Sequence, residues 1–391
     1  MHKIRIIFCL DCLKENQDGV SNTCHRILER IPANFDPIVI TPMPPEKTDF
    51  KFPIHICPSI PFPLHTQYRL ATPQFSKTVS KLFNAFQPHI IHWSSPSSLG
   101  KMAARYGHKY RIPVSAIYHT HFSAHIDLLY LRKVPCASHI SRFFLRPLLE
   151  PYKSSDRVFV PSNSIQQFLI RKGLQVNKLI SWQRGVDSSH FHPAKRNASF
   201  AQKHKLAHTK TILFVSRLVR IKETDTLIRF YRLIEGRFNI VIVGDGPDRK
   251  RMEAKMPEAT FTGHLHGEEL AQAYASCDLF IFPSTTETFG NVVLEAMASG
   301  LPVVAADEGG PRDIVQNGQT GYLVEPNNER AFFEKALDIL CNPSLAETLS
   351  QNALAYAQKQ NWDVLCKQFF DYLQSLVSAK ALGSSLFSVE K

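Results

Sequence analysis

Two carboxylates, Glu287 and Glu295, stand in the run Pro283-Ser-Thr-Thr-Glu-Thr-Phe-Gly-Asn-Val-Val-Leu-Glu-Ala-Met-Ala-Ser-Gly-Leu-Pro302, the part of the chain best equipped for chemistry. The apolar Asp278-Leu-Phe-Ile-Phe282 ahead of them reads as a strand. Val292, Val293, Leu294, Ala296 and Met297 read as a short buried helix, which Gly300 ends and Pro302 keeps from continuing. Glu287 then lies in the loop leaving the strand and Glu295 one to two turns into the helix. The amides of Phe289, Gly290 and Asn291 form the helix N-terminus between them. Unpaired N–H groups at the positive end of a helix dipole attract phosphate, while flanking carboxylates accept hydrogen bonds from hydroxyls. The combination suits a nucleotide sugar, with its diphosphate on the amides and its hydroxyl-bearing rings on the glutamates.

Several other positions could complete such a site. Arg217 ends a strand and Lys222 follows in Ser-Arg-Leu-Val-Arg-Ile-Lys; two cations there would clamp a diphosphate, although a solvated basic turn is the plainer alternative. Val243-Gly-Asp-Gly-Pro247 places Gly244 and Gly246 in a tight strand-to-helix turn that a ligand could approach closely. It is not GxGxxG, which argues against a dinucleotide-dependent dehydrogenase. Asp18-Gly-Val-Ser-Asn-Thr23 offers Gly19 and the amides after it to phosphate, or is an ordinary N-cap. Tyr118-His-Thr-His121 ends a strand and brings His119 or His121 to its carboxyl end, where an imidazole can hydrogen-bond a sugar. With His125 this group resembles a metal cluster, but it lacks a nearby carboxylate pair. His264, Leu265 and His266 read as a loop lining a base pocket.

The elements that must hold these residues alternate. Strand-type runs at Ile4–Leu10, Ile38–Thr41, His89–Trp93, Val114–His119 and Arg157–Val160 are interleaved with helical patterns at Gly19–Ile31, Phe75–Phe86, Ser98–Tyr106 and Ser164–Lys172. Between Pro42 and Pro63 prolines are dense, and an irregular connection is expected. A second alternating set has strands at Thr211–Leu218, Asn239–Gly244, Leu279–Phe282 and Pro302–Ala306, with helices from Thr224, Arg249, Glu268, Asn291 and Glu329. The pattern predicts an α/β fold of two doubly wound, Rossmann-like parallel-sheet domains facing a cleft. The expected division is 1–190 for an acceptor-binding domain and 191–208 for a polar linker. Residues 209–363 would form a nucleotide-sugar-binding domain, 364–380 would pack back on the first, and 381–391 would be a disordered tail.

Composition bounds the rest. At 391 residues the chain is longer than one core usually serves. No run of about 18 apolar residues crosses a bilayer, and the start lacks the features of a signal peptide, so a cytoplasmic protein is expected. Eight scattered cysteines, with one CxxC at Cys9 and Cys12, fit reduced thiols better than a disulfide framework. A net charge of +12 favours anionic partners without choosing among nucleotides, nucleic acid and acidic lipid. Arg132, Lys133, Arg142 and Arg146, interleaved with large apolar residues, have the composition of a surface resting on an anionic membrane; a buried helix with solvated arginines explains them equally.

The Glu-x7-Glu spacing from Glu287 to Glu295 resembles that of retaining glycosyltransferase family 4, on a GT-B fold. Arg217 with Lys222, Gly244-Asp-Gly-Pro247, Gly309-Gly-Pro311, Gly321-Tyr-Leu-Val324 and Gly185-Val-Asp187 look like further landmarks in the expected order. Asp18-Gly-Val-Ser and Tyr118-His-Thr resemble the branch of sulfoquinovosyl and glucosyl diacylglycerol synthases and GDP-mannose-dependent α-mannosyltransferases. The resemblance implies transfer of a hexose from UDP-glucose or GDP-mannose to a lipid, lipopolysaccharide or other glycan, forming an α-linkage with retention and without a metal or other cofactor. It implies Glu287 on the donor sugar hydroxyls, Glu295 on the ribose, Arg217 and Lys222 on the diphosphate, His119 beside the anomeric centre and Gly19 in a loop over the phosphates. One departure is Lys222-Glu-Thr, where Lys-Gly is usual. A GT-B nucleotide-sugar epimerase is the alternative within enzymology, and a phosphorylase would need a pyridoxal-phosphate lysine site. A non-catalytic membrane or nucleic-acid binder is the alternative outside it, with no specific nucleic-acid signal.

Overall fold

The computed structural model of the chain describes residues 3–15, 19–46, 50–62, 65–72, 76–119, 137–206, 210–234 and 236–386. They fall into two compact units, one of residues 1–161, 166–182 and 363–391, the other of 162–165 and 183–362.

The first unit runs β1 (Ile4–Cys9), α1 (Gly19–Leu28), β2 (Phe35–Thr41), β3 (Ile54–Ile56), β4 (Ser59–Phe62), β5 (His65–Ala71), α2 (Ser76–Phe86), β6 (Ile90–Trp93), α3 (Ser98–Tyr110), β7 (Val114–Ile117), α4 (Ala137–Ser154), β8 (Arg157–Val160), α5 (Asn163–Arg171), whose first three residues are grouped with the second unit, and β9 (Leu179–Ser181). Seven strands form a parallel sheet in the order β3-β2-β1-β6-β7-β8-β9, and β4 and β5 pair separately as an antiparallel ribbon. The central strands β6 and β7 are buried at every position and β1 at its last four, so burial shows no period-two alternation, as expected of a parallel sheet covered on both faces.

The second unit runs α6 (Phe200–Lys203), β10 (Thr211–Val215), α7 (Thr224–Ile234), β11 (Asn239–Val243), α8 (Arg249–Lys255), β12 (Thr260–Gly263), α9 (Gly267–Ser276), β13 (Leu279–Phe282), α10 (Asn291–Ala298), β14 (Val303–Ala306), α11 (Pro311–Ile314), β15 (Gly321–Val324), α12 (Glu329–Leu340) and α13 (Pro343–Lys359). Its parallel sheet has the order β12-β11-β10-β13-β14-β15. Leu213 of β10 is in register with Val241 on one side and Phe280 on the other.

Three sequence expectations are corrected. The expected linker 191–208 is not free over its described residues, 191–206, and the unit boundary lies at 182/183: Phe200 is buried in the second unit's core, and Asn197 binds Ser276 Oγ through its N–H at 3.0 Å and Gln272 through its amide at 3.0 Å. The prolines between 42 and 63 do not prevent strands. β3 fits between Pro53 and Pro58 as an edge strand, where missing N–H donors are tolerated. The last helix, α14, spans Trp362–Leu386, so residues 381–386 continue it instead of belonging to a disordered tail.

From Asp363 onward α14 belongs to the first unit. Phe369 meets Phe159 at 4.7 Å between ring centroids, His92 at 5.0 Å and Trp182 at 5.4 Å. Trp182 Nε1 donates to the Leu365 carbonyl at 2.8 Å, and Arg30 Nε donates to Asp363 at 2.7 Å. Burial pushes His92 down to about 3, so it enters this aromatic cluster neutral, held by Ser115 Oγ at 2.9 Å. Among the described residues no helix is long and apolar enough to cross a membrane. Truncating Phe369 to Ala removes the ring at the centre of this contact and is expected to lower stability by about 3–5 kcal/mol. Denaturant unfolding followed by tryptophan fluorescence checks it, since Trp93 and Trp182 both lie in the first unit.

Candidate active site

The second unit brings Arg217, Lys222, Glu287 and the N-terminus of α10 to the carboxyl ends of adjacent strands. After β10 the chain passes through Ser216, Arg217 and Leu218 into one 3-10 turn, Arg220–Lys222. Glu223 then takes a left-handed backbone (φ 56°, ψ 41°) before α7 starts at Thr224. This is where the glycine of the usual pattern is missing: the turn keeps the shape glycine would take, at a strain of about 1–2 kcal/mol for a residue with a Cβ.

Lys222 Nζ donates to Glu287 Oε1, and the two side chains are only 14% and 19% exposed. Thr286 Oγ1 donates to the Ile221 carbonyl at 3.1 Å, a second tie between the same two loops. From the other side the Gly310 N–H donates to the Glu287 carbonyl at 2.8 Å. A Cβ at Gly310 would lie 2.1 Å from the Phe289 carbonyl oxygen, so only glycine permits this approach. Phe289 is buried in the core and pins the loop from below.

Gly290 (φ +102°) is the N-cap of α10 and provides no side-chain capping bond, leaving Asn291 and the first turn without one. Arg217 is exposed, and its guanidinium makes no hydrogen bond or ion pair among the described residues. In the first turn and a half of α10, Glu295 accepts a hydrogen bond from Tyr274 Oη at 3.0 Å. Withdrawal from water pushes the Glu295 carboxyl up to about 7, against the lowering effect of the Tyr274 bond; the residue nonetheless keeps some exposed surface.

Gly244 and Gly246 serve the fold directly. The Cβ of any other residue at Gly244 (φ +125°) would lie 1.9 Å from the Ser216 carbonyl oxygen, and at Gly246 2.4 Å from that of Leu218. Their absent side chains let the 243–247 turn lie against the Arg217 segment, where the Leu218 N–H donates to Asp245 O at 2.9 Å. Behind it, Thr224 Oγ1 donates to Asp248 at 2.5 Å and Arg251 Nη2 reaches both, at 2.8 and 2.9 Å. His264 and His266 are exposed with near-parallel rings 6.0 Å apart, and Leu265 packs on the core.

In the first unit, Gly19 is the exposed first residue of α1. His119 lies two residues past β7 and is 8% exposed, sharing a pocket lining with Leu10, Cys24, Ile27 and His92. His121, His125, Arg132 and Lys133 lie outside the described residues, as does the side chain of Arg142; Arg146 is exposed and pairs with Glu150 at 3.9 Å. Cys9 and Cys12 are buried cysteines. Among the described residues no group of His, Cys, Asp or Glu could hold a metal ion. Sequence reasoning missed Thr286, Tyr274 and the Thr224–Asp248–Arg251 network. Apart from Asp248 and Arg251, three residues apart, their partners lie 21 to 65 positions away, where no local spacing marks them.

Family profiles described as Glycosyl transferases group 1 and Glycosyltransferase Family 4 match residues 195–356 and 17–190. A GDP-mannose-dependent alpha-mannosyltransferase of Corynebacterium glutamicum is 32% identical over 387 residues, covering 96% of this chain and 90% of that protein. Sulfoquinovosyl transferase SQD2 of Arabidopsis thaliana is 34% identical over 315 residues, covering 78% of this chain and 60% of that protein. Among solved structures, sucrose-phosphate synthase from Thermosynechococcus elongatus has a TM-score of 0.74 at 21% identity, covering 96% of this chain and 100% of that one. Anabaena HepE in complex with UDP has a TM-score of 0.76 at 19% identity, covering 95% and 100%. Strand order, site geometry and near full-length similarity agree: the chain belongs to the family 4 glycosyltransferases, with a GT-B fold.

Proposed function

We propose that this glycosyltransferase moves a hexose from a nucleotide-diphosphate sugar to a hydroxyl of a lipid or glycan acceptor, with retention and formation of an α-linkage. GDP-mannose is the first choice of donor, because relatives similar over almost the whole chain are GDP-mannose-dependent alpha-mannosyltransferases. The observation that carries the reading is the Lys222–Glu287 pair beside an uncapped helix N-terminus, with Arg217 unengaged on the same strand end.

On this reading Arg217 and Lys222 neutralise the diphosphate as it departs, in the place a divalent cation would otherwise fill, and the amides at Phe289, Gly290 and Asn291 share its charge. Glu287 accepts hydrogen bonds from the donor hexose, and Glu295 from the ribose. His119 serves the anomeric centre and Gly19 the loop over the phosphates, as the family resemblance implies. The departing phosphate acts as base toward the acceptor hydroxyl. Arg132, Lys133, Arg142 and Arg146 provide contact with an anionic membrane; co-sedimentation with anionic liposomes at low salt, lost at high salt, is the expected result.

Titration calorimetry with GDP-mannose and UDP-glucose tests the donor. Binding of neither, with Glu287→Ala indistinguishable from the unmodified protein in donor turnover, would overturn the reading. Arg217→Ala removes a charge-assisted contact and is expected to weaken donor binding by about 10- to 100-fold. Glu295 accepts ribose hydrogen bonds best when ionised. Because its carboxyl is raised to about 7, donor affinity should rise as pH climbs from 6 to 8, and Glu295→Gln should flatten that dependence. Glu295→Ala should raise the donor KM while kcat at saturating donor survives; abolished turnover there would refute its role as a ribose anchor.

A further inference from the structure

The two sheets share one strand-order pattern. In each, the unit's first strand, β1 or β10, has the next strand in sequence on one side and a later strand on the other, β6 or β13. Ligands of doubly wound sheets bind outside the carboxyl ends of the strands at that reversal of order. In the second unit the position between β10 and β13 holds Lys222 and Glu287. In the first unit the equivalent position, between β1 and β6, holds Asp11 and the segment Ser94 to Ser97.

This corner is firmly built. Ser97 Oγ donates to Asp11 Oδ1 at 2.7 Å, and Ser95 supplies a second side-chain hydrogen bond. The Ser94 N–H donates to the Cys9 carbonyl at 3.2 Å, joining the two strand ends. Ser97 also caps α3 by accepting from the Gly100 N–H at 3.3 Å, and a Cβ at Gly100 would lie 2.1 Å from the Ser95 carbonyl oxygen. Ser94 is 1% exposed, and its hydroxyl has no hydrogen-bond partner among the described residues.

A carboxylate has about four acceptor positions, so the two serines leave Asp11 with capacity to spare. Burial pushes its carboxyl up to about 6, opposed by the bonds from Ser97 and Ser95, so it is mostly ionised at neutral pH. The groups that feel its charge, Cys9, Cys57 and Tyr152, are all raised chiefly by burial and stay protonated there.

We propose that Asp11 is an acceptor-binding carboxylate, accepting a hydrogen bond from a hydroxyl of a polyol acceptor seated at the carboxyl ends of β1 and β6. A residue serving only to tie Ser97 to the end of β1 would not need a partly exposed anion at the sheet's reversal point. The inference rests on the glycosyl-transfer reading, and the test separates the two.

Donor binding and acceptor-independent donor hydrolysis are measured with GDP-mannose and UDP-glucose. Transfer is measured with methyl α-D-mannopyranoside, glycerol and dioleoylglycerol in detergent micelles as acceptors. Asp11→Asn preserves shape and is expected to leave donor affinity, basal hydrolysis and melting temperature unchanged, while raising the KM of at least one acceptor by about tenfold or more. Asp11→Glu should restore part of that loss. If the unmodified protein hydrolyses donor and no acceptor accelerates it, or if Asp11→Asn leaves acceptor KM unchanged, the assignment is overturned. Loss of folding in both Asp11→Asn and Asp11→Ser makes Asp11 structural and overturns it too. Failure to bind either donor counts instead against the functional reading.

Discussion

The ion pair between Lys222 and Glu287 joins the loops leaving two neighbouring strands, and the surrounding site geometry is arranged to keep those loops in place. An ion pair this far withdrawn from water is poor evidence for stability, since desolvating two charges costs several kcal/mol and an apolar pair of similar size often does as well. Other contacts already fix the loops: Thr286 on the Ile221 carbonyl, Gly310 on the Glu287 carbonyl, and Phe289 in the core. The charges are therefore held by the scaffold more than they hold it. That is the arrangement expected of groups kept for binding, whose rotamers are set before a ligand arrives.

The same economy runs through the glycines. Gly244, Gly246 and Gly310 are each placed where a Cβ would meet a carbonyl oxygen of an adjoining loop. Close packing of strand-end loops brings backbone carbonyls and N–H groups into mutual reach, which satisfies them without side chains and leaves Arg217, Lys222 and Glu287 to face other tasks. The left-handed Glu223 shows that the backbone shape of the Lys222 turn outweighs the residue's own preference. The hydrogen bond from the Leu227 N–H to the Glu223 carbonyl, together with the buried Thr224 and Asp248 and the half-buried Arg251, holds the turn against about 1–2 kcal/mol of strain.

Much of the fold was legible because apolar runs such as Ile6 to Cys9 and Ile240 to Val243 are long enough to be strands and too short to be helices, and each is followed by a helical period. The placement of Glu287, Phe289, Gly290 and Glu295 was legible because they sit on one strand–loop–helix unit, where spacing converts directly to position. What escaped notice depended on contacts between distant segments. The edge strand β3 is hidden by flanking prolines, which mark loops in most contexts but are tolerated where no N–H is required. The polar stretch 191–208 hides a buried anchor, Phe200, with Phe191 and Leu206 packed against the same core. Nothing in the local sequence marks Asp11, because its partners, Ser95 and Ser97, are more than 80 positions away.

On the proposed reading, the pairing of Lys222 with Glu287 shapes how a donor must bind. A diphosphate that draws Lys222 away leaves Glu287 desolvated and unpaired, and breaking one partner from such a pair costs about 3–5 kcal/mol. A nucleoside diphosphate alone has nothing to offer Glu287 in return. A nucleotide sugar brings hexose hydroxyls that donate to the carboxylate as its phosphates engage the lysine, so each half of the ligand offsets the disruption caused by the other. Discrimination of the loaded donor from the spent nucleotide then comes from one exchange of partners at a fixed site, and loss of the hexose restores the pairing that helps release the product.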